Sequence, residues 1–283
     1  MRGSFRGPAR AKIRDQWREN VVPKLAAREI KPLLRFYPDH DGLTVLDIGA
    51  NKGLWTRALL DVFGGRIAHV HLFDPSPENY SELTNRGDNL VCLSEDEFTR
   101  LSVHRFALGR EPGTAVLYTN DEGSPLGSLY PHEEPGWGER LKEIRLSQSL
   151  EVPVETVDRY LARERVPRVE IMKIDTEGHE MDVLLGAEQA IQAGRIDVIT
   201  FEFGVHQVES RHFFKDYWLY LTKRGYALYF VNDAGAITPL ERYEYRWEQF
   251  NRNFEFIAAR LPVQNPAGSR PHADALIEDA QRA

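Results

Sequence analysis

Val45-Leu46-Asp47-Ile48-Gly49-Ala50-Asn51-Lys52-Gly53 is an apolar run that meets an acid, then a glycine, then a second glycine four residues later. Residues 43–48 have the leucine and β-branched content of a buried strand. Beyond them Leu54, Trp55, Ala58, Leu59, Val62 and Phe63 recur at helical spacing until Gly64-Gly65, which ends the helix. Strand, tight turn and helix in that order are the opening unit of an α/β sheet. The glycines let backbone pass close to a ligand, and the helix that follows offers free N–H groups. A dinucleotide fingerprint needs Gly-x-Gly-x-x-Gly, but Asn51 takes the middle position and no glycine stands at the third. Asp47 just before the turn repels a pyrophosphate and suits an ammonium group, reached directly or through the loop.

Working outward, residues 66–73 read as the second strand, after which Ser76 caps and Pro77 opens a helix toward Asn85. Residues 101–108 read as a third strand, 113–119 as a hairpin edge, and 151–154 as another strand. The stretch 120–138 between these two is loop-like and a candidate lid. Residues 169–174 and 196–203 are two further apolar runs, each followed by a helical pattern, the second over 211–223. Residues 226–231 and 254–259 supply two more strands. This alternation predicts a mostly parallel sheet with helices on both faces.

In such a sheet ligands bind outside the carboxyl ends of the strands, where strand order reverses. Three strand ends carry chemistry. Leu72-Phe73-Asp74-Pro75-Ser76-Pro77 places a carboxylate where it accepts both hydroxyls of a ribose, or else merely opens a helix. Asp74 together with the 49–53 turn points to a nucleoside with a cationic, phosphate-free appendage, which describes S-adenosyl-L-methionine. Lys173-Ile174-Asp175-Thr176-Glu177-Gly178-His179-Glu180 sets five ionisable groups in eight positions, costly unless solvated or useful. Phe201-Glu202-Phe203-Gly204-Val205-His206 puts Glu202 between two aromatics, so it is paired or functional. Asp175 and Glu202 face one crevice if their strands are neighbours.

The rest of the chain sets boundaries. Thirty-six Lys plus Arg against 43 Asp plus Glu leave a net charge of −7 over 283 residues, which argues against a dedicated nucleic-acid binder. Cys92 is the single cysteine, so no internal disulfide forms. Neither a signal-peptide pattern nor a membrane-length apolar run is present in the sequence, and a cytoplasmic location is the expectation. Residues 1–35 hold ten Lys or Arg and three Asp or Glu, with Ile13, Trp17, Val21, Leu25 and Leu33 on roughly one helical face. The expected division is an N-terminal helical arm (1–40), a catalytic domain (41–260) and a flexible polar tail (261–283) with Pro262, Pro266 and Pro271.

These residues resemble the FkbM family of S-adenosyl-L-methionine-dependent methyltransferases. Residues 45–53 are similar to its V-L-D-x-G-A-N-x-G segment, and 73–79 to its acid-Pro-x-Pro-x-Asn segment. Further likenesses follow in order: Ala107-Leu108-Gly109 with Gly113, Ser128-Leu129, residues 152–158, the K-x-D-x-E-G-x-E-x-x-x-L-x-G block over 171–186, and 201–204. The likeness covers about 43–259. Asp74 stands where Glu is common, and the segment 90–101 is longer than usual.

The resemblance implies a Rossmann-like class I methyltransferase fold, an α/β architecture with a seven-stranded, mostly parallel sheet whose last strand is antiparallel. It implies methyl transfer to a hydroxyl oxygen of a sugar, on a glycan, glycolipid or glycosylated natural product, or of a polyketide-like compound. Expected cofactor residues are Asp47, Gly49, Ala50, Asn51, Gly53, Asp74, Pro75, Ser76 and Ala107. Expected substrate residues are Glu177, Ser128 and His206. An alcohol needs a general base, and Asp175, His179 and Glu202 are the candidates, the first two favoured. A divalent metal shared by Asp175 and Glu202 is an alternative, but with no metal-binding spacing such as H-E-x-x-H no metal is expected. The rivals are an NAD- or nucleotide-sugar-dependent oxidoreductase, a non-catalytic nucleoside-binding module and, less suited to the charge, a nucleic-acid methyltransferase. The expected partner is a small-molecule or glycan acceptor; the arm shapes the acceptor pocket or a contact between copies of the chain.

Overall fold

A computed structural model of the chain describes residues 23–119, 127–131 and 148–260. The first half of the arm, most of the candidate lid and the tail lie outside the described residues. An eight-stranded sheet is built from β1 (Leu43–Ile48), β2 (Ile67–Phe73), β3 (Leu101–His104), β7 (Val169–Ile174), β8 (Ile196–Phe203), β9 (Ala227–Val231), β10 (Ile237–Leu240) and β11 (Phe254–Ala259), in the spatial order β10-β9-β11-β8-β7-β1-β2-β3. A second sheet of three strands joins β4 (Ala107–Leu108), β6 (Gln148–Glu155) and β5 (Gly113–Thr119).

The pairs β1–β2, β1–β7, β2–β3 and β7–β8 are parallel, and β11 runs antiparallel between β8 and β9. All seven expected strands are present with the expected antiparallel last one. Two readings are corrected. An eighth strand, β10, hydrogen-bonds to β9 at the edge of the sheet, a place that tolerates Pro239. The expected third strand over 101–108 breaks after His104, and its second part, β4, pairs with β6 in the small sheet.

Strand order reverses at β1, which has β2 on one side and β7 on the other, so the two loops that leave β1 and β7 frame a crevice. The alternation of side chains makes both faces of β1 apolar. Leu43 and Val45 join one buried cluster and Leu46 and Ile48 the other. The first cluster is covered by α1 (Leu54–Phe63) through Ala58 and Leu59, by Leu83 of α2 (Pro77–Thr84), and by residues 26–37. The second is covered by α4 (Val157–Arg163), α5 (Glu180–Gly186), α6 (Glu188–Gln192) and α8 (Phe214–Thr222). Two short helices complete the set, α3 (Glu95–Thr99) in the long 90–101 segment and α7 (Gln207–Ser210) after β8.

The described end of the arm is core. Ile30 and Leu33 are wholly buried, and Phe36 meets Tyr229 of β9 edge to face. Residues 26–37 therefore pack as a continuation of the domain rather than as an appendage before residue 41.

Candidate active site

The ends of β1, β2 and β7 open on one cleft of about 690 Å3, counted out through its mouth, and the end of β8 does not line it. Its floor is the turn after β1. Gly49, Asn51 and Gly53 all have positive φ (78°, 49° and 79°), and the N–H groups of Gly49 and Ala50 both donate to the Phe73 carbonyl, at 3.0 Å. A β-carbon at Gly49 would run into the carbonyl oxygen of Asp175, so the loops leaving β1 and β7 meet only because this residue has no side chain.

Asp47 lies beneath that floor and is wholly buried. Thr56 donates its hydroxyl to Oδ2 at 2.6 Å, and Lys173 Nζ stands 3.1 Å from Oδ1. The same ammonium donates to the Gly49 carbonyl at 2.8 Å and lies 3.4 Å from Asp175 Oδ2. Asp47 does not line the cleft and is tied to the turn above it through Lys173. The neighbouring carboxylates Asp47 and Asp175 outweigh burial and hold Lys173 above its ordinary value.

The wall after β2 is Asp74. Its Oδ2 accepts the Asn51 N–H at 2.8 Å; its Oδ1 accepts the Ser76 N–H at 3.0 Å and Asn79 Nδ2–H at 3.2 Å. Ser76 caps α2, as expected, by accepting the Asn79 N–H. Burial raises the Asp74 carboxyl to about 6, against these three hydrogen bonds.

Phe106, Ala107 and Leu108, with Leu117 and Leu129, form an apolar side to the cleft. Behind it Tyr160 places its hydroxyl 2.7 Å from both His71 Nδ1 and His104 Nε2. Burial first, then the neighbouring His69 and His104, lowers His71 to about 3, and burial lowers His104 as well.

The third wall is the loop after β7, with Asp175, Thr176, Glu177 and His179 on the cleft. Glu180 is buried and clamps this loop: its Oε1 accepts the N–H groups of Thr176 and Gly178 and the Thr176 hydroxyl, and its Oε2 accepts Gln207 Nε2–H. Glu177 Oε2 lies 2.5 Å from His206 Nε2. His179 Nδ1 lies 3.4 Å from Asp182 Oδ2, which also accepts the Tyr130 hydroxyl at 2.9 Å; Arg110 Nε is 3.1 Å from Asp182 Oδ1.

Of the expected residues, Gly49, Asn51, Asp74, Pro75, Ser76, Ala107, Asp175, Glu177 and His179 line the cleft. Asp47, Ala50, Gly53, Ser128, His206 and Glu202 do not. Gly53 instead starts α1 beside Leu83 and Leu90, and Ser128 donates its hydroxyl to the Glu177 carbonyl at 2.8 Å. Glu202 is on β8 beside β7, but its Oε2 accepts from Asn253 Nδ2 at 2.8 Å. Burial and the charges of Asp175 and Glu177 push it well up. Asn79, Phe106, Leu117, Leu129, Asp182 and Tyr130 were not anticipated. Asn79 and Leu129 had a signal in their motifs; the others have none, because their places come from folding distant segments together. Among the described residues no three His, Cys, Asp or Glu are grouped to hold a metal ion, and no helix is long and apolar enough to cross a membrane.

Residues 47–228 match the model of the methyltransferase FkbM domain, which is more than half of the chain. The chain belongs to the FkbM methyltransferase family. Hexuronic acid methyltransferase AglP of Haloferax volcanii is 24% identical over 159 residues, 56% of each chain. Methyltransferase 1 of Beauveria bassiana is 23% identical over 164 residues, covering 53% of this chain and 61% of its own. The match thus spans a little over half the length of these curated relatives. A methyltransferase FkbM from Methylobacillus flagellatus has a crystal structure that aligns with a TM-score of 0.47 at 16% identity, over 77% of this chain and 44% of its own.

As an FkbM methyltransferase the protein uses S-adenosyl-L-methionine, and the cleft fits that molecule. A glycine floor allows close backbone approach, a strand-end carboxylate faces a nucleoside's hydroxyls, apolar residues flank a base, and no phosphate-binding glycine pattern is present. Asp74, Gly49 and Asn51 would hold the nucleoside and its appendage. The bound donor supplies an electrophilic methyl on a sulfonium.

Proposed function

We propose that the protein methylates a hydroxyl oxygen of a sugar or of a similarly hydroxylated natural product. The observation that carries this reading is the carboxylate wall. Asp175 and Glu177 line the cleft on the loop after β7, across from the Asp74 side. Carboxylates accept hydrogen bonds from polyol hydroxyls and take up the proton that an alcohol must lose. The name of the Haloferax relative, a hexuronic acid methyltransferase, supports a sugar acceptor. Among the described residues that line this wall the charged groups are carboxylates, which favours a neutral sugar over a uronate.

The chain's own residues align and deprotonate. Fixed loops set donor and acceptor in line, which replaces a bimolecular encounter by a positioned one. Asp175 and His179 are both on the cleft as candidate bases, Asp175 on the side nearer β8 and His179 against Gly109, after β4. The substitution of Asn51 for a glycine disfavours the oxidoreductase reading.

The test is calorimetric titration with S-adenosyl-L-methionine and, separately, NAD on wild type and Asp74→Ala, followed by incubation with neutral glycosides and uronates and mass analysis of the products. Expected are binding of the first ligand only, weakened in the variant, and a mass gain of one methylene on a neutral sugar. NAD binding without S-adenosyl-L-methionine binding would sink the reading. Donor binding with every acceptor unmodified would favour a non-catalytic module.

A further inference from the structure

Glu177 and His206 lie on consecutive strand-end loops, with side chains only 13% and 6% exposed, and their Oε2 and Nε2 atoms are 2.5 Å apart. At that separation the imidazole and the carboxylate are in direct polar contact. Glu177 is on the cleft wall between Asp175 and His179, and His206 stands behind it, just before α7.

The backbone is bent to make this contact. Glu177 has φ +54° and Gly178 φ +106°. A left-handed non-glycine residue is strained and persists where its surroundings over-determine it. Here they do. Glu180 holds the N–H groups on either side, at Thr176 and Gly178, and Ser128 holds the Glu177 carbonyl. Gln207, next to His206, ties Glu180 to the same arrangement. A β-carbon at residue 178 would press on the His206 carbonyl oxygen at 2.9 Å, so Gly178 is what lets the two loops close on each other.

Charges reach the pair from every side. Asp175 and Lys173 come from β7, Glu180 from α5 and Glu202 from β8. Burial, then Asp175 and Glu180, push the Glu177 carboxyl well above the usual carboxylate range, against Lys173. Burial pushes His206 down, against Glu180 and Asp175. A carboxylate raised in this way is a stronger base near neutrality than an ordinary one.

We propose that Glu177 takes the proton from the acceptor hydroxyl and that His206 is the positioning residue that holds its carboxylate by one oxygen. This rests on the reading of the cleft as a site of methyl transfer to a hydroxyl. The acceptor's O–H bond breaks to Glu177 as its oxygen bonds to the methyl carbon, and the carbon–sulfur pair leaves on sulfur. His206 occupies Oε2 and leaves Oε1 for the acceptor. Asp175 is less suited because Lys173 holds it, and His179 because it faces Gly109 and Asp182.

The first arm of the test needs no acceptor. In the full chain loaded with S-adenosyl-L-homocysteine, the His206 ring is titrated by proton–nitrogen NMR in wild type and Glu177→Gln. Removing the carboxylate should lower the His206 midpoint by about one pH unit or more; identical titrations overturn the pair. The second arm uses a glycoside shown to be methylated by wild type. Glu177→Gln should lower kcat by roughly 10²- to 10⁴-fold with donor affinity unchanged. Glu177→Asp should recover part of it, and His206→Asn should move the acidic limb of the pH profile. Undiminished kcat in Glu177→Gln overturns the proposal. A wild type that binds donor yet methylates no sugar defeats the acceptor reading, and the NMR arm then decides the pair.

Discussion

Lys173 and Asp47 form a buried ion pair under the cleft floor, with Nζ 3.1 Å from Oδ1 and side chains 7% and 0% exposed. The ammonium spans three loops and strands at once: the end of β1 through Asp47, the turn through the Gly49 carbonyl, and the end of β7 through Asp175. It is the one cation among these groups, which makes it a keystone of shape rather than a reacting group.

Lys173→Met should therefore cost more than a surface charge would. It leaves Asp47 buried without its counter-charge, a situation worth about 3–5 kcal/mol. Urea unfolding of wild type and variant measures it, and Asp47→Asn with Lys173→Met should be less destabilised than the single lysine variant. An equal or larger loss in the double variant contradicts the pairing.

Gly49→Ala should be damaging out of proportion to one methyl group. The new β-carbon meets the Asp175 carbonyl, and φ +78° adds strain. A loss of about 1–3 kcal/mol and a collapse of donor affinity are expected, read by thermal unfolding and calorimetry. Unchanged affinity would mean that the two loops separate easily.

Asp74 makes donor binding pH-dependent. Its carboxyl titrates at about 6, and only the charged form can accept from two ribose hydroxyls without offering a proton. Affinity should be flat above that pH and fall by about tenfold per unit below it. Asp74→Asn should bind weakly at every pH. Calorimetry from pH 5 to 8 decides the matter, and a flat wild-type profile goes against it.

His71 sets an acid limit on stability. Its folded value of about 3 lies below the ordinary 6.5, so the unfolded chain binds more protons between the two. Stability should decline as pH falls below 6.5, by up to about 1.4 kcal/mol per unit from this group, toward pH 3. Tyr160→Phe, which removes the hydroxyl between His71 and His104, should lower stability at pH 7 as well. Chemical unfolding at several pH values tests both.

The parts legible in the sequence are those where one local pattern determines one place. Glycines after an apolar strand predicted the β1 turn, Ser76-Pro77 predicted the start of α2, and parallel strands placed Asp74, Asp175 and Glu177 at one end of the sheet. What stayed hidden depends on long-range pairing. Nothing local says that Leu108 leaves the main sheet, since its partner Glu155 is 47 residues away. The edge strand β10 is 4 residues long and includes Pro239, so it carries little strand pattern of its own. Glu202 between two aromatics read as paired or functional, and the partner that holds it, Asn253, comes from a loop that no local pattern points to. His206 read as a substrate residue, yet it stands behind Glu177 because Gly178 allows two loops to touch.

The position of β11 has a consequence for how the chain comes to be folded. It is the last of the described strands to be made, yet it lies between β8 and β9 rather than at an edge. Until residue 259 has been synthesised, the β9–β10 hairpin has nowhere to attach and both β8 and β9 keep an unpaired backbone edge. Non-local pairings of this kind are slow to form, and such edges recruit other chains while they wait. Yield of soluble protein should thus depend on the rate at which 254–259 docks, so that slower growth at low temperature or a chaperone that shields those edges matters more for this protein than any change at the catalytic cleft.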